Sequence, residues 1–145
     1  MKLLITSDAH GDMETLLAIM KKHDDRDYHL DAGDMVLPKS FIERHGIITV
    51  KGNNDFGLDF PLARILDLGH LKVLLTHGHK EGVKFSLTKL MDLAHQNQVD
   101  LCIFGHTHMR YMKREQHSLF INPGAITGQK SYAIYQEGTL TFHTR

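Results

Sequence analysis

Five apolar runs in this chain end the same way, in Asp, His or Asn beside a glycine. Leu3–Thr6 leads to Ser7–Asp8–Ala9–His10–Gly11–Asp12, and Tyr28–Leu30 to Asp31–Ala32–Gly33–Asp34. Ile47–Val50 leads to Lys51–Gly52–Asn53–Asn54–Asp55. Lys72–Leu75 is followed by Thr76–His77–Gly78–His79, and Leu101–Phe104 by Gly105–His106–Thr107–His108. Each run reads as a short buried strand, and each glycine lets the backbone turn sharply where the strand stops. Beyond the break the chain is a loop, and His106 and His108, two apart, can face one pocket from it. In open α/β sheets, ligands bind outside the carboxyl ends of strands, where loops converge. Carboxylates, imidazoles and a carboxamide gathered in one cleft are costly to bury without a counter-charge. One or two metal ions would supply it. Imidazole and carboxylate without thiolate suit Mn, Fe, Zn or Ni and disfavour a cysteine-rich structural zinc site. Two ions roughly 3.5–4 Å apart can share a carboxylate, with His106 and His108 each serving a different one.

The elements that must position these loops follow from periodicity. Asp12 reads as the N-cap of a helix with Met13, Leu16, Leu17 and Met20 on its core face and Lys21–Lys22 closing it. Pro38 opens a short helical segment that Gly46 stops. Arg64–Leu68 and Leu71–Leu75 form a hairpin across Gly69–His70. A further helix starts at about Ser86, with Leu87, Leu90, Met91 and Ala94 at helical spacing. The tail is β-rich: Tyr111–Arg114 pairs with Leu119–Ile121, and Tyr132–Tyr135 with Leu140–Phe142 across Glu137–Gly138. Strands alternate with helices and then dominate, which is an α/β pattern with mixed sheets.

Bulk properties narrow the class. The 145 residues make one domain, 1–145, by the usual size prior. A formal net charge of +0 gives no attraction to nucleic acid or to a membrane. The single cysteine, Cys102, sits inside an apolar run and reads as a packed thiol; no internal disulfide can form, which fits a reducing cytoplasm. Met1–Ile5 is too short an apolar stretch for a signal peptide or membrane span. Among 12 histidines, His23, His29, His45, His70, His95, His117 and His143 lie outside the motifs and read as surface or structural.

Taken in order, the motifs resemble the calcineurin-like metallophosphoesterase superfamily. Its pattern of D-x-H, G-D, G-N-H/C-D/E, an H-G-H loop and G-H-T/S-H stands here as Asp8–Ala9–His10, Gly33–Asp34, Gly52–Asn53–Asn54–Asp55, His77–Gly78–His79 and Gly105–His106–Thr107–His108. A later N-P-G-S/A turn is matched by Asn122–Pro123–Gly124–Ala125, so the resemblance covers nearly the whole chain. It implies a four-layer α/β/β/α sandwich with two mixed sheets, and is nearest to the small bacterial and archaeal phosphodiesterases. It also implies that Asp8, His10 and His108 hold one metal, that Asn53, His77 and His106 hold the other, and that Asp34 bridges them. Mn²⁺ is the usual metal of that branch. The implied reaction is hydrolysis of a phosphate diester by water activated between two cations, with no protein nucleophile.

One position departs from the pattern. Asn54 stands where many relatives have a histidine that protonates the leaving group or holds substrate. A carboxamide is no general acid at neutral pH, though it can donate a hydrogen bond to a phosphoryl oxygen. Asp55, which would orient that histidine, is left to fix the loop. His79 reads as a substrate contact or as support for a ligand, and Lys80 as a solvated lysine. Two other readings stand beside diester hydrolysis: a phosphomonoesterase, which the missing histidine disfavours, and a metal-loaded scaffold without catalysis, like the retromer subunit of this fold. All seven ligand positions are filled, which favours an enzyme. The expected partner is a small phosphate ester; no stretch marks a base-stacking pocket, and a homo-oligomer is compatible with the sequence.

Overall fold

The computed structural model describes residues 1–145. Its strands are β1 (Lys2–Thr6), β2 (Tyr28–Asp31), β3 (Ile47–Thr49), β4 (Ala63–Asp67), β5 (Lys72–Thr76), β6 (Leu101–Ile103), β7 (Tyr111–Glu115), β8 (Ser118–Asn122), β9 (Ser131–Gln136) and β10 (Thr139–Thr144). Its helices are α1 (Met13–Lys22), α2 (Lys39–Arg44) and α3 (Thr88–Gln96). One sheet has the order β10-β9-β1-β2-β3 and the other β4-β5-β6-β8-β7. Each has three parallel strands at its centre or edge, β1-β2-β3 and β5-β6-β8, and each adds antiparallel neighbours. No helix is long and apolar enough to cross a membrane.

Strand alternation explains the layering. Leu3, Ile5, Val73, Leu75, Leu101 and Ile103 point between the sheets and form the central core. Leu4, one residue out of phase, points outward under Leu16, Ile19, Phe41 and Ile42 of α1 and α2. Leu74 and Cys102 point outward on the second sheet, under Leu90 and Ala94 of α3. Both faces of each central strand are therefore buried, which is why they read as continuous apolar runs. The result is the α/β/β/α sandwich that the resemblance implies.

Local signals account for most boundaries. Asp12 caps α1 by accepting the Thr15 amide at 3.1 Å. The last hairpin turns on Glu137 and Gly138, both at positive φ, as a two-residue turn between right-twisted strands requires. Two expectations need correction. Leu17 is 39% exposed, because α1 centres its buried face on Thr15, Leu16, Ile19 and Met20 and leaves Leu17 on the flank. Helix α3 begins at Thr88, not Ser86: the Ser86 hydroxyl accepts the Thr88 amide at 3.1 Å and so organises the turn before the helix.

Cys102 is fully buried, and burial pushes its thiol well above the usual range. Native protein should therefore leave Cys102 unmodified by a disulfide reagent such as DTNB, with one thiol reacting after unfolding in guanidinium. Fast reaction of the native protein would show that α3 does not cover β6.

Candidate metal centre

Both parallel strand sets deliver their carboxyl ends to the same edge of the sandwich, and the loops beyond them are stitched together by backbone. The loop after β1 zips to the loop after β2 through Asp8 N–H to Gly33 O at 3.0 Å and His10 N–H to Asp34 O at 2.9 Å. The second sheet joins its own loops through Gly105 N–H to His77 O at 3.0 Å. Across the sheets, the His106 amide donates to Asp8 Oδ2 at 3.1 Å. Two glycines permit this closeness. A Cβ on Gly105 would lie 2.0 Å from Ser7 Oγ, and one on Gly52 would lie 2.1 Å from Asp34 Oδ1.

Asp8, His10, Asp34, His77 and His108 come together at this edge. Asp8 Oδ1 lies 3.2 Å from His108 Nε2, 3.6 Å from His10 Nε2 and 3.9 Å from His77 Nε2. Asp34 Oδ2 lies 3.3 Å from His77 Nε2 and 3.7 Å from His10 Nε2, and so stands between the two flanks. Donor atoms of Asp8, His10 and His108, and separately of Asp8, Asp34 and His77, all lie within 4.8 Å of one another. Asp8 thus belongs to both triplets, while Asp34 touches both flanks through one oxygen. Asn53 joins through its Oδ1, 2.9 Å from His77 Nε2. His106 stands outside both triplets and packs against His77 with ring centroids 5.0 Å apart.

The donors fit a cation. Asp8 is fully buried; its Oδ2 accepts from Ser7 Oγ at 2.6 Å and from the His106 amide, but its Oδ1 has no hydrogen-bond partner. A buried carboxylate oxygen left alone costs several times what a paired one does. His77 carries the same implication. Its Nδ1–H donates to Ala32 O at 2.7 Å, so in the neutral ring the Nε2 lone pair faces the oxygens of Asn53 and Asp34. Three electron-rich atoms converge there, and a cation between them relieves the repulsion. A proton on Nε2 would answer the same oxygens. Burial alone would lower the His77 pKa, but the facing carboxylates Asp34 and Asp8 outweigh it and hold it above the ordinary imidazole value.

The neighbouring groups are tuned by the same field. Burial opposes ionisation of Asp34, yet His77 and two donors from Asn54 keep its carboxyl well below the usual range. Burial, then His77 and Lys84, hold His106 down to about 4, so it is a neutral ring with a free lone pair. Burial, His77 and Lys80 likewise keep His79 below its ordinary value. Asn54 turns inward: its amide N–H donates to Asp34 Oδ1 at 2.8 Å and its side-chain NH₂ to Asp34 Oδ2 at 2.9 Å. Asn54 thus helps to orient Asp34.

Three supporting residues carry more than the motifs disclose. Asp55 accepts the amides of Gly52, Asp34 and Val36 at 2.8, 2.9 and 3.0 Å, locking two loops together. Asn122, which ends β8, donates to Gly105 O at 3.1 Å and to Thr107 Oγ1 at 3.0 Å, and so holds the loop that bears His106 and His108. A polar residue closing the apolar run Leu119–Ile121 was the available signal for it. Asp31 accepts from Thr6 at 2.6 Å, from the Gly33 amide at 2.8 Å and from Thr49 at 3.1 Å; burial still pushes it up to about 7. It shapes the turn that presents Asp34, and nothing in its spacing marked it apart from Asp34.

Comparison with known proteins bears on this arrangement. The model of the calcineurin-like phosphoesterase superfamily domain matches residues 1–144. The Bacillus subtilis (strain 168) protein named "Probable metallophosphoesterase YsnB" is 37% identical over 140 residues, covering 92% of this chain and 83% of that one. A conserved Streptococcus pneumoniae TIGR4 protein, described as a predicted phosphoesterase, superposes with a TM-score of 0.86 at 26% identity, over 99% of this chain and 97% of the other. A novel archaeal phosphodiesterase shares the fold at a TM-score of 0.81 and 23% identity, over 100% of both chains. With buried carboxylates and imidazoles converging where that family's motifs fall, this chain belongs to the calcineurin-like phosphoesterase superfamily.

Proposed function

We propose that this protein is a binuclear metal-dependent phosphodiesterase. Asp8, His10 and His108 hold one cation, Asn53, His77 and His106 hold the second, and Asp34 lies between them. The observation that carries this reading is Asp34 Oδ2, set 3.3 Å from His77 and 3.7 Å from His10 beside the partnerless Asp8 Oδ1. Two divalent ions there, Mn²⁺ by family habit with Fe, Zn or Ni compatible with the donors, would acidify water and draw charge off the phosphoryl oxygens. The residues of the chain set the substrate preference. Asn54 gives no proton, and His79, neutral at pH 7, can orient an oxygen but is a weak acid there. A leaving group must then depart as an anion or take its proton from solvent, which is hardest for alkyl phosphomonoesters.

The first test is metal dependence. Stripped protein should not hydrolyse bis-p-nitrophenyl phosphate, and Mn²⁺ should restore turnover. Because a proton on His77 Nε2 occupies the same place, Mn²⁺ affinity should fall as pH is lowered through and below neutrality, measured by calorimetry. Metal-loaded protein that cleaves no ester in a panel of monoesters, linear diesters and cyclic nucleotides would be the non-catalytic scaffold.

Removing the central charge is the second test. Asp34→Asn should lose two-metal loading and about a thousandfold or more in turnover, the scale expected for losing several kcal/mol of charge stabilisation. Metal content and circular dichroism checked together separate this from misfolding. A variant that keeps both metals and near-normal rates refutes the assignment.

Leaving-group dependence is the third. The parent should show a steep decline of log rate with leaving-group pKa. Asn54→His, whose ring near its reference pKa of about 6.5 is partly protonated at neutral pH, should flatten that slope. General acid catalysis contributes roughly 10²–10⁴-fold, so the gain should fall on poor leaving groups. Equal slopes would mean that Asn54 does not limit protonation.

A further inference from the structure

A cleft of about 580 Å³ opens beside the metal centre, between the segment after β3 and the loop after β5. Asn53, whose Oδ1 meets His77, and His79 are among its lining, so the cleft adjoins the metal centre. Its walls also include Lys51, Phe56, Phe60 and Lys80. Phe56 is 84% exposed, in the same short loop as Asn53 and Asn54. Exposed aromatic rings are common singly, but this one stands free at the rim of a polar site. One face of Phe60 is taken by Lys39, whose Nζ lies 5.7 Å from the ring centroid; Phe56 has no such cover. Lys51 and Lys80 pair with no carboxylate, and the one acid on the wall, Asp55, is committed to three backbone amides.

The groove on the opposite side of the His106 loop differs. Val83, Leu87, Phe104 and Met109 make it mostly apolar; its Arg110 is tied to Ser131, His143 and Thr144, and its Lys84 pairs with no carboxylate. The two sides of the centre therefore differ in apolar character, and the first sets a largely exposed aromatic ring beside two unpaired lysines. A free ring and two unpaired ammonium groups call for an aromatic plane that carries an anion.

We propose that the cleft lined by Lys51, Phe56 and Lys80 binds the retained arm of the diester, and that this arm is a nucleoside bearing a second phosphate. The base stacks on Phe56, and the second phosphate lies between Lys51 and Lys80. This rests on the phosphodiesterase reading for the chemistry, but the cleft itself is a binding feature and is separable from catalysis. The sequence disclosed no stacking pocket because Phe56 and Lys80 lie in different loops, and only the fold sets them on one cleft.

Three esters with the same p-nitrophenol leaving group test it in Mn²⁺-loaded protein: methyl p-nitrophenyl phosphate, the p-nitrophenyl ester of thymidine 5′-phosphate, and the same nucleoside ester with a 3′-phosphate. Metal chemistry is common to all, so kcat/KM should rise along the series: the nucleoside step by about tenfold on the scale of one base stack, and the 3′-phosphate step by a further, salt-dependent gain. Phe56→Ala should shrink the ratio of the nucleoside ester to the methyl ester. Lys51→Ala with Lys80→Ala should shrink the gain from the 3′-phosphate and reduce its salt dependence. Calorimetric binding of thymidine 3′,5′-bisphosphate gives a readout independent of turnover, and Phe56→Ala should weaken it by about tenfold. Bisphosphate binding that depends on Phe56 in a protein that cleaves none of the esters would uphold the cleft and overturn the hydrolase. Equal kcat/KM for all three esters, or bisphosphate binding indifferent to Phe56 and the lysines, would overturn the cleft while leaving the hydrolase standing.

Discussion

Four carboxylates, Asp8, Asp31, Asp34 and Asp55, are buried at one edge of this molecule, and their charge must be answered. Taking such groups out of water costs several kcal/mol each unless donors or cations replace the lost hydration. Each is answered differently. Asp55 is given three backbone amides. Asp31 is given two hydroxyls and an amide, and it is also driven toward its neutral form. Asp34 has Asn54 and His77. Asp8 alone keeps an oxygen with no hydrogen-bond donor, and three imidazoles ring it. The graded answer explains why polar loops from two different sheets are held so close. They are one network arranged around a carboxylate oxygen that no hydrogen-bond donor reaches.

Holding that network demands unfavourable backbone. Asp8, His10, Asp34, His106 and His108 all have positive φ, from 46° to 72°. Such a conformation costs a non-glycine residue about 1 kcal/mol or more, and it persists only where surrounding structure over-determines it. Here the surroundings are identifiable: the Gly33 and Asp34 carbonyls fix Asp8 and His10, and Gln129 holds the His108 carbonyl from outside at 2.8 Å. Strain also explains the side-chain directions. Positive φ at Asp8 and at His10 bends the chain away from the line of β1, and both side chains come to bear on one region.

The sequence made the loop chemistry readable for a simple reason. Buried central strands are continuous apolar runs, so the polar residues after them stand out, and Asp8, His10, Asp34, His77 and His108 do meet. Spacing alone reached only an α/β pattern with mixed sheets; the four layers came from family resemblance. What stayed hidden depends on partners distant along the chain. Asn54 reads as a substrate contact, and its hold on Asp34 shows only in the fold. Asp31 differs from Asp34 only in facing Thr6 and Thr49, which no local pattern reveals. Leu17 obeys helical spacing, yet the width of the buried stripe, set by the sheet below, leaves it outside.

β1 has one neighbour, β2, close along the chain and another, β9, from its far end, in a register that sets Lys2 against Gln136. The amides of Ile126 and Thr127, also late in the chain, close on the carbonyls of Ser7 and Asp8 at 3.0 and 2.9 Å. Contacts between such remote positions form slowly, because the chain must give up loop entropy before they return anything. The first motif is thus pinned in part by the last third of the chain. These contacts add to the bonds that Asp8 makes with Gly33, Ser7 and the His106 amide. Order at this edge therefore depends on chain closure: the charged pocket is held from both ends of the sequence at once.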